Sequence, residues 1–243
     1  MLPRFLAESL DARARAARLG EDEARHLAQV LRLHMGDEVA VFDGRGREFR
    51  ARVERIARDG ADLRLIEELA PAEEPAVRLT LAQAALKGEK MDEVVRDATM
   101  MGAAAIEPLV TEHTAAHLKP GGAPARWRRI AIASVKQSRR AVLPAIGDGL
   151  TLDGWLAHDR SDLRLMLVEP SAPAAAEPLS SLSGPAPASV SLMVGPEGGW
   201  SAAEIDAAAR AGCRPITLGR RTLRADAVSI VAIGVLQFLW KDL

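Results

Sequence analysis

The sequence predicts an α/β protein: a parallel-sheet domain over residues 77–243, preceded by a small antiparallel sheet or barrel over residues 1–70. Three observations predict it. Ser191 to Val194 and Ile216 to Leu218 are short apolar runs with a helix signal between them, and a strand–helix–strand connection of that kind joins parallel strands. Val77 to Ala82 and Ala103 to Val110 flank another helix signal, repeating the unit. In the first seventy residues, Asp43-Gly44 and Asp59-Gly60 instead interrupt apolar runs as hairpin turns do.

Taken in order, Glu21 to Leu31 places Ala24, Leu27, Ala28 and Leu31 at helical spacing. Strands follow at Val39 to Phe42, Glu48 to Ile56 and Ala61 to Ile66, and Pro71 to Pro75 reads as a linker over residues 71–76. Lys87-Gly88 opens a helix that runs to Met101 and closes at Gly102. Pro124 suits the first turn of a helix that turns Trp127, Ile130, Ala131 and Val135 inward. Leu163 to Val168 is a strand ending at Glu169, and the proline-studded Pro170 to Ser189 reads as a flexible surface insertion. Ser201 and Glu204 form a capping box, Trp200 and Ile205 sit as a hydrophobic staple, and Gly212 occupies the left-handed position that ends the helix. The apolar Val228 to Trp240 is broken by Ser229 and Gln237 and is too short to span a bilayer.

Composition narrows the function classes. A formal net charge of −1 means that nucleic-acid contact must come from local patches rather than a basic whole. The single cysteine, Cys213, excludes an internal disulfide and fits a small core residue in a reducing compartment. Charges interrupt the N-terminal apolar residues, so no signal peptide is expected and the predicted location is the cytoplasm. His113 and His117 lie four apart with no Glu or Cys to complete a metal constellation, so no metal is predicted.

Chemistry concentrates at two glycine-opened loops. Gly195, Gly198 and Gly199 follow one strand and Gly219 follows the other, removing side chains where ligands of open α/β sheets meet the backbone. The pattern fits a ligand pocket or a pair of tight turns feeding helices. It does not fit a phosphate loop, because Pro196 lacks an N–H, Glu197 is anionic and no Lys-Ser/Thr follows. A run free of acids extends from His113 to Gly147 and carries Lys119, Arg126, Arg128, Arg129, Lys136, Arg139 and Arg140; it is either a solvated face or a phosphate contact. Arg45, Arg47, Arg50 and Arg52 crowd one hairpin, with the same two readings.

Gly195-Pro196-Glu197-Gly198-Gly199, with Ser201, Glu204-Ile205, Leu218-Gly219 and Leu223-Arg224, resembles the C-terminal signature of the RsmE family, the bacterial small-subunit (16S) ribosomal RNA uridine-N3 methyltransferases of the SPOUT class. Arg4-Phe5, His26-Leu27, Val30-Leu31-Arg32, Gly36-Asp37-Glu38 and Phe42-Asp43-Gly44 resemble its PUA-like RNA-binding domain. The resemblance implies a trefoil-knotted domain that binds S-adenosylmethionine, a homodimer, and a ribosomal RNA substrate. It implies cofactor contacts from Val194, Gly195, Pro196, Glu197, Gly198, Gly199, Leu218, Gly219, Leu223 and Glu169. Arg140, Asp226 and Arg224 become candidates for catalysis, although Asp226 could equally complement the N-terminus of the last helix. RNA contacts are expected from Arg4, Arg45, Arg47, Lys87, Arg128, Arg129, Lys136, Gln137, Ser138 and Arg139. The chain departs from the family pattern at Asp97, Met100, His113, Lys136, Ala225 and Ala227, leaving open another RNA target or a non-catalytic RNA-binding protein with a vestigial pocket.

Overall fold

The computed structural model describes residues 2–114, 118, 125–172 and 175–242. His117, Lys119, Pro124 and Pro173, which figured in the sequence reading, lie outside the described residues. The chain forms two compact units, one of residues 1–74 with 135–143, the other of residues 75–134 with 144–243.

The first unit contains β1 (Arg4–Leu6), β2 (Ser9–Asp11), β3 (Ala16–Leu19), α1 (Glu21–Arg25, continued by one π turn at His26–Val30), β4 (Glu38–Phe42), β5 (Glu48–Ala57) and β6 (Gly60–Leu69). Its sheet runs in the order β1-β4-β5-β6-β3-β2, antiparallel except where β1 pairs with β4. Alternation along β5 and β6 turns Phe49, Ala51, Val53, Leu63 and Leu65 into one core with Phe5, Leu19 and Leu27. Both expected hairpins form. At the first, the Asp43 carboxylate accepts from the N–H groups of Arg45 and Arg47 at 2.7 and 3.1 Å. The strands between Arg4 and Leu19 were not expected.

Residues 135–143 complete this unit. The largely buried Arg4 side chain, 9% exposed, grips Glu48 at 2.7 and 3.0 Å and donates to the carbonyls of Val135, Lys136 and Arg140 at 2.8–2.9 Å. Val135 and Ala141 then bury apolar side chains with Phe42. A guanidinium taken out of water is stable only with such full pairing.

The second unit contains β7 (Arg78–Ala84), α2 (Lys90–Met100), β8 (Ala105–Val110), the first turns of α3 (Ala125–Ser138), β9 (Ala145–Ile146), β10 (Leu150–Thr151), α4 (Leu152–His158), β11 (Leu163–Leu167), β12 (Glu177–Pro178), β13 (Ser189–Val194), α5 (Ala202–Arg210), β14 (Arg214–Thr217) and α6 (Ala225–Trp240). Its sheet is parallel in the order β10-β8-β7-β13-β11-β14-β12, with β9 also on β8. Ala82, Leu109, Met166 and Met193 face α4 and α5 through Leu152, Trp155, Ile205 and Ala208. Alternate strand residues face the other way, where α6 packs against α2 and β13.

One sequence expectation stands and one needs correcting. The strands ending at Val194 and Thr217 are parallel as expected, with β11 lying between them. The segment Pro170 to Ser189 is not wholly a surface insertion: β12 extends the sheet, and a 3-10 turn at Leu179–Leu182 buries both of its leucines. Leu179 and Leu182 are the only large apolar residues among its prolines and alanines, and the Trp240 indole fixes the turn by donating to the Leu182 carbonyl at 3.0 Å.

Candidate active site

The ends of β11, β13 and β14 and the first turn of α6 enclose a cleft of about 320 Å³. This lies outside the carboxyl ends of parallel strands, where open sheets bind ligands, and its size suits a nucleoside-sized molecule. Leu167, Val168, Val194, Leu218 and Leu223 supply apolar wall, and Glu169, Glu197, Arg221, Arg224 and Asp226 supply charge.

The glycine loop is held from several sides. Trp200 leaves the strand end under its own constraint, donating its indole N–H to the Leu167 carbonyl at 2.8 Å. A Cβ on Gly195 would stand 3.1 Å from that indole nitrogen, so a side chain there would press on the ring. Gly199 has φ +71, a conformation that L side chains rarely adopt, and its N–H closes a turn onto the Pro196 carbonyl at 3.0 Å. Ser201 and Glu204 then form the expected capping box, and Trp200 joins the core that buries Ile205. Behind the loop, the fully buried Gln83 donates toward the Gly195 carbonyl at 3.4 Å and accepts from the Ser229 hydroxyl of α6 at 2.5 Å.

Glu197 faces the head of α2 as well as the cleft. Its carboxylate accepts from the Lys90 ammonium at 2.9 Å and from the Lys87 N–H at 3.3 Å. Partial burial pushes its pKa up, but these bonds outweigh that and hold it below the ordinary carboxylate value. Arg224 and Asp226 form a bidentate pair at 3.0 and 2.7 Å. The guanidinium bond is the main reason the Asp226 carboxyl titrates below its usual range, burial opposing it. Arg224 remains 72% exposed along its side chain while Asp226 is 10% exposed, so the acid is the anchored partner.

Of the residues expected around a cofactor, Val194, Gly195, Pro196, Glu197, Gly199, Leu218, Leu223 and Glu169 line the cleft together with Arg224 and Asp226. Gly198 and Gly219 shape the loops without lining it; a Cβ on Gly198 would stand 2.9 Å from the Cβ of His113. Arg140 belongs to the first unit, buried and paired with Glu74 at 3.0 Å, and is not on the cleft wall. Among the expected RNA contacts, Arg4 is committed to Glu48 and Lys136 to Glu23 at 2.6 Å. Arg47 pairs with Glu68 at 3.2 Å. Arg45, Lys87, Arg128, Arg129, Gln137 and Arg139 are exposed, and Ser138 is half-buried. Sequence reasoning missed Trp200 as a loop support, Gln83 and Ser229 beneath it, and Lys90 and Arg221 on the wall. Only Arg221 carried a local signal, lying between Gly219 and Leu223. Among the described residues no group of acids, histidines and cysteines could hold a metal ion.

Residues 72–237 match the RNA methyltransferase domain family and residues 19–66 the RNA methyltransferase PUA domain family. A ribosomal RNA small subunit methyltransferase E of Synechocystis is 34% identical over 90% of this chain and 72% of its own. That of Mycobacterium bovis is 30% identical over 97% and 92%. In structure, the Neisseria gonorrhoeae enzyme of that name, bound to S-adenosyl methionine, superposes with a TM-score of 0.85 at 27% identity over 99% and 98% of the two chains. A Legionella pneumophila protein in complex with bound SAM gives 0.87 at 28% identity over 98% of each. Two glycine-opened loops on a parallel sheet, joined to a small β unit and matched over nearly the whole length, leave one conclusion: the chain belongs to the ribosomal RNA small subunit methyltransferase E family.

Proposed function

We propose that this protein transfers a methyl group from S-adenosylmethionine to N3 of a uridine in 16S ribosomal RNA, acting as a homodimer in the cytoplasm. The observation that carries the reading is the single cleft shared by the two glycine-opened loops and the Arg224–Asp226 pair. The cleft fits the donor: aliphatic side chains for an adenine, bare backbone at Gly195 and Gly199, and a carboxylate at Glu169 for the donor's hydroxyl or ammonium groups. When bound, that group supplies an electrophilic methyl on a sulfonium.

The protein's part is positioning and electrostatics. Loss of the N3 proton to solvent water leaves negative charge spread over a uracil ring, which the exposed Arg224 guanidinium would stabilise. Asp226 is held ionised with both oxygens on Arg224, which suits it to orienting that guanidinium rather than to accepting the proton. The exposed Arg45, Arg128, Arg129 and Arg139 are the cations available to RNA phosphates. Ala227, Val231 and Phe238 form an apolar stripe along α6 with Phe238 71% exposed, and a second copy of the chain would cover it. The trefoil knot of the class is part of the same proposal, supported by the matching parallel domain of the relatives.

Purified small subunits incubated with the protein and labelled donor should gain one methyl, mapped by mass spectrometry to N3 of a single uridine. Unlabelled RNA, or a methyl on another base or atom, would sink the reading. Phe238→Glu should convert a dimer to a monomer in light scattering, and an unchanged mass would remove the stripe from the interface.

A further inference from the structure

The charges on the cleft wall cancel in number, but not all of them are paired with one another. Six charged side chains line it: Lys90, Arg221 and Arg224 against Glu169, Glu197 and Asp226. Lys90 is satisfied by Glu197 at 2.9 Å and Arg224 by Asp226 at 2.7 Å. Among the described residues no acidic side chain pairs with Arg221, and no basic one pairs with Glu169. The wall therefore offers a ligand one guanidinium and one carboxylate. They come from different strand ends, Glu169 after β11 and Arg221 after β14.

We propose that Arg221 is the carboxylate-binding residue of the cleft and contacts the α-carboxylate of the methionine portion of the donor, with Glu169 serving its hydroxyl-bearing or cationic part. The proposal rests on the donor assignment made above and adds to it which end of the donor lies where. A planar guanidinium can meet a carboxylate or a phosphate with two parallel hydrogen bonds, so position has to decide between them. Two arguments favour the donor's carboxylate over an RNA phosphate. Arg221 lines the cleft formed by the two glycine loops, whereas the neighbouring Arg220, equally exposed, does not. And a zwitterionic amino acid group on a cationic sulfonium needs one anion-binding and one cation-tolerant site, the pair that is left unsatisfied here.

The test is calorimetric and compares S-adenosylmethionine with its decarboxylated analogue, which keeps the adenosine, sulfonium and ammonium but lacks the carboxylate. Wild type should bind the intact donor more tightly by about tenfold or more, the scale of one charge-assisted contact. Arg221→Met should weaken the intact donor by a similar factor and bind the two ligands equally, while Arg221→Lys should keep part of the preference. Because Arg221 is exposed, melting temperature should not move. Undiminished discrimination in Arg221→Met would overturn the proposal. So would intact donor affinity accompanied by loss of RNA affinity, since Arg221 would then belong to the nucleic acid. If wild type binds neither ligand, the donor assignment itself falls, and that result cannot be confused with the other two.

Discussion

Two arginine-rich stretches of this chain have nearly the same composition and opposite fates. Arg47, Arg50 and Arg52 lie on or beside the β4–β5 hairpin, and Glu68, Glu38 and Glu67 across the strands meet all three, with the turn residue Arg45 outside these pairs. Arg220, Arg221 and Arg224 lie on the loop between β14 and α6, where among the described residues only Asp226 answers, and it answers Arg224 alone. The difference is one of backbone. Antiparallel pairing sets side chains opposite one another at fixed register, so acids on the neighbouring strand neutralise a basic one. A loop that leaves the carboxyl end of a parallel strand has no such neighbour, and its charge stays available to a ligand. Density of arginine in a sequence thus says little until the partner strand is known.

The comparison can be broken or sharpened by experiment. The largest effect should come from Arg224→Ala, which removes a preorganised cation and should lower the methylation rate by on the order of 100-fold or more, with donor affinity and melting temperature little changed. A rate within a few-fold of wild type would place Arg224 among the bland surface arginines. The Arg224–Asp226 pair also has a pH signature. The Asp226 carboxyl titrates below its ordinary value, so the pair's contribution is complete above the usual carboxylate range and is lost only as pH falls through the lowered folded value. The rate profile should therefore show no step between pH 5 and 8 that disappears in Asp226→Asn; such a step would make Asp226 a base titrating near neutrality. The smallest effect belongs to the hairpin. Arg47→Ala should leave stability within about 0.5 kcal/mol by thermal melting and weaken RNA binding by no more than a few-fold. A tenfold loss in an RNA-binding titration would show that its pairing with Glu68 is given up on binding.

How much of this was legible without a structure varied with the reach of the interactions involved. The capping box at Ser201 and Glu204, the left-handed Gly212 with φ +83 and the hairpin turn at Asp43 are settled within a few residues, and each stands as read. β1, β2 and β3 escaped notice because each is three or four residues long and exists by pairing with distant segments. The insertion of β11 between β13 and β14 left no trace in local spacing for the same reason. At the site, the glycines were readable because they are defined by what they lack. Trp200 read only as a staple, since its bond to the Leu167 carbonyl crosses 33 residues of sequence. Gln83 and Ser229 are 146 residues apart, beyond any pattern a single chain displays. Arg140 was placed with the chemistry, but the structure buries it against Glu74.

The bonds from Arg4 to the carbonyls of Val135, Lys136 and Arg140 bear on how the protein is made. Synthesis delivers the N-terminal sheet first, yet the groups that satisfy its deepest cation arrive some 130 residues later. Until then Arg4 and Glu48 have only each other, and the apolar patch around Phe42 lacks Val135 and Ala141. A nascent chain stalled short of that point would carry an open seam, and the N-terminal unit would close only after residues 75–134 of the second unit had been translated.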